Sequence, residues 1–245
     1  MRHSFISYIP ILTTILSAAF AVQLWRHWRR RPPARYLLWW FLGLAAYGAG
    51  TLTESLTTLL GWQEPVFRAW YITGALLGGA PLAQGTAYLL LPKSVADRLT
   101  VALLLVIGFG AMLVLASPIN YELVEPYRLS GKVLAWPRVR LVSPFVNLYA
   151  VVLLIGGAFW SAGRYLRQIG AENRMWGNIA IAIGAILPGI GGMYTRMGYT
   201  EVLYVTELLG LLLIWLGYSL IVRDRGPSIH VNQQRAAAVA STGPG

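Results

Sequence analysis

Glu54 and Glu207 are the residues of this chain best placed to do chemistry, because each is an acid set inside a long apolar run, 36–60 and 200–222 respectively. The second run can cross a hydrocarbon core roughly 30 Å thick as one tilted helix. A carboxyl at that depth is unfavourable against lipid and draws polar partners from neighbouring helices. At a helical rise of about 1.5 Å per residue, Glu54, Asn147 and Glu207 share one depth, roughly 9 Å from the same face of the membrane. Arg68, Arg140 and Arg196 lie between that layer and the face, while Tyr71 and Tyr204 lie within it. Three arrangements are open. Arginine–glutamate pairs would clamp helices together, each charge favouring the ionised form of the other. The same groups could instead line a polar pocket for a small or lipid-derived molecule. Paired glutamates could also pass protons or ions, or act as general acid and base.

Several other chemistries lack their residues. The histidines, His3, His27 and His230, all fall outside the apolar runs, which removes histidine-ligated haem and the zinc site of an intramembrane hydrolase. The lysines are Lys93 and Lys132, so the run 200–222 offers no attachment point for retinal. Cysteine is absent, and with it any disulfide or thiolate site. Gly189, Gly191 and Gly192 sit in an apolar stretch rather than after a strand, unlike a phosphate-binding loop. No metal or cofactor is expected, and no residue is assigned a catalytic role.

The elements that must position these groups follow from composition. Charged residues are 12% of the chain and hydrophobic ones 56%, where a soluble domain carries about 25% charged. Repeated apolar runs of this length indicate an all-α, polytopic membrane protein with seven transmembrane helices. The spans are expected over 7–25, 36–60, 66–91, 99–117, 141–163, 175–194 and 200–222, in one domain covering 1–225. Residues 226–245, polar and rich in alanine and glycine, are expected as a disordered cytoplasmic tail. Ala19-Phe20-Ala21 also fits a signal-peptide cleavage pattern, but the arginines at 26, 29, 30, 31 and 35 suit a retained helix followed by a cytoplasmic loop.

Gly43, Tyr47, Gly50 and Glu54 share a helical face. Gly74, Gly78, Pro81 and Gly85 form a small-residue stripe for close helix packing. The sequence at 188–192, Pro-Gly-Ile-Gly-Gly, predicts a weakened helix. Residues 118–140 are the longest connection, with Tyr121, Tyr127 and Trp136 available to the interface. The net charge of +11 comes from arginines and lysines beside span ends, which reads as orientation and contact with membrane lipids rather than nucleic-acid binding. Most of them fall on the side of the first loop, placing the N-terminus outside and the C-terminus in the cytoplasm.

The arginine-rich first loop, Glu54 late in the second span and Arg68-Ala69-Trp70-Tyr71 at the start of the third resemble bacterial seven-helix inner-membrane proteins of unassigned function. They are also distantly similar to the seven-helix input modules ahead of histidine kinases. Gly177-Asn178, the 188–192 stretch and Tyr204-x-x-Glu207 are similar to the unassigned set. The resemblance implies a multi-pass protein of the cell inner membrane. The residues themselves suggest a sensor- or receptor-like role, with a small lipophilic ligand or a membrane-protein partner in the outer half of the bundle. A lipid- or isoprenoid-modifying enzyme, or a proton-coupled transporter, is the alternative use of Glu54 and Glu207.

Overall fold

A computed structural model describes residues 5–166, 168 and 170–223. The tail expected over 226–245 lies outside the described residues, as do His3 and His230. Described residues form helices and connecting turns, with no strand; two isolated bridges, Ile119 to Leu134 and Glu125 to Arg128, pin the long loop. In chain order the helices are α1 (Ile9–Arg30), α2 (Arg35–Leu60), α3 (Glu64–Trp70), α4 (Ala80–Leu90), α5 (Lys93–Ala116), α6 (Val142–Ala150), α7 (Gly157–Tyr165), α8 (Glu172–Arg196) and α9 (Thr200–Arg223). Proline at the first turn opens α1, α3 and α4, where its fixed φ fits and its missing N–H has no helical partner to lose.

Wide π-turns join some of these pieces. Tyr71–Leu77 follows α3, and Val151–Gly156 links α6 to α7. Seven rods result. Five helices are long and apolar enough to cross a membrane: Phe5–Arg30, Lys93–Ala116, Pro137–Tyr165, Glu172–Thr195 and Thr200–Arg223. Of the other two, α2 is diluted by its own buried Thr51, Thr53, Glu54, Ser55, Thr57 and Thr58, and the third rod is interrupted. The membrane character also shows in how polarity is distributed. Phe145 and Leu105 are 72% and 69% exposed, while hydroxyls and an amide are buried. That is the reverse of a water-soluble core. The buried hydroxyls of α2 bond one turn back, Ser55 to the Thr51 carbonyl (2.8 Å) and Thr57 to that of Thr53 (2.9 Å), so none faces the interior bare.

The sequence predicts a weak point at 188–192, yet α8 runs on through Pro188. The reason lies across the interface. Pro188 gives no N–H to the Gly184 carbonyl, and that oxygen lies against Gly210 of α9, only 2.6 Å from where a Cβ there would stand. Gly177, Gly184 and Gly191 on α8 recur every seven residues, as do Gly210 and Gly217 on α9. They bring the two backbones into contact along their length.

The break falls instead in the third rod, at Gly78, whose φ of +46 suits glycine. What reads as a packing stripe is there a π-turn, a reversal and a fresh start at Ala80. Residues 118–140 cap the same end of the bundle as the start of α3 and the turn into α9, here termed the loop end. They enclose a core of Phe67, Tyr71, Val114, Leu129, Val133, Leu134 and Val139. The opposite, basic end carries exposed Arg29, Arg30, Arg31, Arg35, Lys93, Arg98 and Arg164.

Gly184→Leu should force α8 and α9 apart, since its Cβ alone would come within 2.7 Å of the Gly210 carbonyl. Overpacking of this kind costs about 1–3 kcal/mol. Thermal unfolding in detergent should show a lower midpoint, whereas Gly108→Leu, in open space on α5, should leave it unchanged.

Candidate functional site

The helical face of α2 bearing Gly43, Tyr47, Gly50 and Glu54 points into the bundle. Gly50 lets the third rod approach closely, a Cβ there standing 3.4 Å from the Gly74 Cα. That approach sets Trp70 beside α2, and its indole N–H donates to Glu54 Oε1 at 3.0 Å. From the other side α9 presents Glu207, whose carboxyl lies close to that of Glu54. The Tyr47 hydroxyl donates to the Glu207 backbone carbonyl at 2.8 Å, a second tie between α2 and α9. Glu54 is 3% exposed. Glu207 is half-buried as a residue, but its Oε2, like that of Glu54, is enclosed. Neither oxygen has a hydrogen-bond partner among the described residues. Tyr204, one turn before Glu207, is 7% exposed and lies within electrostatic reach of both carboxyls.

The arginines expected to answer these acids stand elsewhere. Arg68 donates Nε and Nη2 to Glu64 Oε1 at 2.9 and 2.7 Å. Its Nη2 also reaches the Ser117 carbonyl at 3.0 Å, and its Nη1 the carbonyls of Val114 and Leu115. The guanidinium thus caps the carbonyl end of α5, where a cation is favoured. Arg140 is half-buried, its Cδ beside Gly131 near the Tyr71 ring. Tyr71 belongs to the core under the long loop. Arg128, which the sequence reading passed over, donates Nη1 to Glu125 at 3.0 Å and Nη2 to the Thr195 carbonyl at 3.1 Å, leaving Nε buried without a partner. The side chain of Arg196 lies outside what is described. Among the described residues no basic group bonds either carboxyl of the pair.

Asn147 is set apart from the acids. Its Oδ1 stands 2.7 Å from the position of a Cβ on Gly78, so it packs at the break in the third rod. The expected layer therefore divides into three: the acid pair with Tyr47, Trp70 and Tyr204; the Glu64–Arg68 cap; and Asn147 at Gly78. Trp70 was legible only as part of the Arg68-to-Tyr71 segment. The Glu64–Arg68 pair had a plain signal, opposite charges four residues apart.

A fourth polar group lies towards the basic end. Buried Gln84 of α4 donates to the Ala96 carbonyl (2.9 Å) and Thr100 (2.8 Å) of α5 and accepts from Tyr149 of α6. Tyr88 continues the chain, bonding Thr100 at 3.0 Å and Asp97 at 2.6 Å, and Asp97 pairs with Arg35 of α2 at 2.7 Å. This network ties four helices below the break. On the outside, Leu105, Val106 and Phe109 of α5 with Leu141, Val142 and Phe145 border an open groove of about 490 Å³. No polar side chain lines it. Among the described residues no three histidines or acids gather as metal ligands.

At the loop end, Tyr121 donates to Glu64 Oε2 at 2.5 Å. This bond, aided by Arg68, lowers the Glu64 pKa below the usual carboxyl value and raises that of Tyr121. A depressed acid stabilises the fold above its unfolded pKa and loses that effect as pH falls through its folded one. The Tyr121 contribution runs the other way, present below the ordinary phenol value and lost as pH rises above it. Amide hydrogen exchange in residues 118–140, corrected for intrinsic rates, should therefore speed up below the ordinary carboxyl range and again at strongly alkaline pH. Tyr121→Phe should flatten both responses; because the pair is exposed, global stability should move little.

No family model matches the chain, and comparison with curated proteins and with solved structures finds no match.

Proposed function

We propose that this chain is a seven-crossing membrane protein with a receptor-like role, in which the Glu54–Glu207 pair is the recognition element for a small or amphipathic ligand. In this reading the N-terminus and the loop end face the outside, the basic end meets the anionic inner leaflet, and the membrane is the bacterial inner membrane. One observation carries it. Two acids from distant parts of the chain meet in the bundle with no basic group of the described protein between them. Such a pair is a poor device for stability, since apolar side chains of similar volume hold helices together at lower desolvation cost. It has acceptors to spare and suits a guest that brings donors or positive charge.

A transport role would need polar groups on both sides of the acids. Towards the basic end the pair gives way to Phe20, Leu24, Leu44 and Leu211, all buried. That apolar floor favours binding from one side over passage through the bundle. It equally favours a ligand that enters from the loop end.

Native mass spectrometry of protein extracted from its own membranes should show a retained small molecule in the wild type that is lost from Glu207→Gln. The amide keeps the size of the carboxyl while removing its charge, so the midpoint of thermal unfolding should shift by no more than a few degrees. A ligand-free wild type, or retention unchanged in the variant, would overturn the reading. Orientation is tested separately, because the chain has no cysteine. A single cysteine at Tyr127 should react with an impermeant maleimide on intact cells, and one at Ser94 only after permeabilisation; the reverse pattern would invert the topology.

A further inference from the structure

Of the seven buried polar atoms without a partner among the described residues, three are oxygens on one line, the others being Trp40 Nε1, Trp62 Nε1, Ser143 Oγ and Arg128 Nε. Thr200, Tyr204 and Glu207 follow at intervals of four and three, which places them on one face of α9. The Thr200 hydroxyl is buried without a partner, and so are Oε2 of Glu207 and Oε2 of Glu54 across from it. Tyr204, between them, is 7% exposed and lies within electrostatic reach of both carboxyls. Arg128 stands at the head of this line, bonded to the Thr195 carbonyl just before the turn into α9. Buried polar groups are nearly always satisfied, so a run of bare oxygens ending on two acids marks the place of a guest.

Arg68 and Arg128 are bonded elsewhere, and the side chain of Arg196 lies outside the described residues. Arg68 holds Glu64 and the end of α5, Arg128 holds Glu125 and Thr195, and Arg140 lies beside Gly131. We propose that Glu54 Oε2, Glu207 Oε2 and the Tyr204 hydroxyl bind one monovalent cation that enters from the loop end past Thr200. A proton shared by the carboxyls would join only those two groups and leave the Tyr204 hydroxyl unused. A cation takes oxygen from all three. Three acceptor oxygens match the three N–H donors of an ammonium group, whereas an alkali ion would complete its shell with water. The guest is an alkali ion or the ammonium of an organic amine, the latter also matched to the aromatic rings of Tyr47, Trp70 and Tyr204. This deepens the receptor reading by naming the charge of what the pair accepts.

The test uses the full-length protein in detergent, at fixed pH and fixed ionic strength, with bulky tetraethylammonium chloride as the background salt. Sodium, potassium or methylammonium chloride replaces it stepwise while thermal unfolding is followed. At least one should raise the midpoint saturably. A response to sodium or potassium alone assigns an inorganic ion; a response to methylammonium assigns an amine. Glu54→Gln and Glu207→Gln should abolish the rise, and Tyr204→Phe, which keeps both acids, should move the half-saturating concentration up about tenfold. The proposal fails if no cation exceeds the background, if only pH moves the midpoint, or if Tyr204→Phe and the glutamine variants respond as the wild type does. None of these arms uses an amphipathic ligand, so a failure here leaves the receptor reading standing. Conversely, a ligand-free preparation in mass spectrometry leaves the cation site untouched.

Discussion

Two carboxyl groups facing one another away from water form the constraint on which this bundle turns. Like charges at contact repel strongly where water is excluded, so everything around Glu54 and Glu207 must lower that repulsion or be displaced by it. Trp70 bonds one oxygen of Glu54, and Tyr47 holds the Glu207 backbone rather than its side chain. Neither supplies charge. Among the described residues no cation bonds either carboxyl, and in the proposal above the compensating charge arrives with the guest. The third rod approaches α2 through Gly50 and Gly74 because Trp70 must reach this point.

The rest of the polar interior is disposed to keep that pair distinct. Arg68 and Glu64 satisfy each other within one helical turn, and Arg68 then closes the open carbonyls of α5. Gln84, Tyr88 and Asp97 make a separate network on the far side of the break at Gly78. Between these networks the interior is mostly apolar, with the hydroxyls of α2 bonded to backbone carbonyls. Among the described residues these polar groupings do not share partners, and no cation is bonded to the acid pair.

Much of this was legible in the chain. Long apolar runs fix helices, because no other regular element satisfies its backbone in lipid, and counting along them placed Glu54 and Glu207 at one depth. Tyr47, seven residues before Glu54, was visible on the same face. The partners of the acids were not legible. Arg68 sits near the right depth, but its nearest acid is four residues away on its own helix, and a local pair prevails over a distant one that must be assembled by folding. Nor could spacing tell Gly78, which breaks a helix, from Gly184, which binds one. Both belong to glycine patterns, and what separates them is the neighbour: Asn147 at a reversal in one case, the Gly210 backbone in the other. Pro188 misled for the same reason, its lost hydrogen bond being made good by α9.

The seven-residue glycine period of α8 and α9 bears on which acid is able to move. Helices matched at that interval wrap around each other instead of crossing at a point, so rotating α9 on its axis would open every glycine contact together. Glu207 is thereby a fixed post. Glu54 faces it from α2, steadied by a tryptophan on a rod that is cut in two at Gly78, so under the proposal above the adjustment to a guest would be made on that side, with α9 as the anvil.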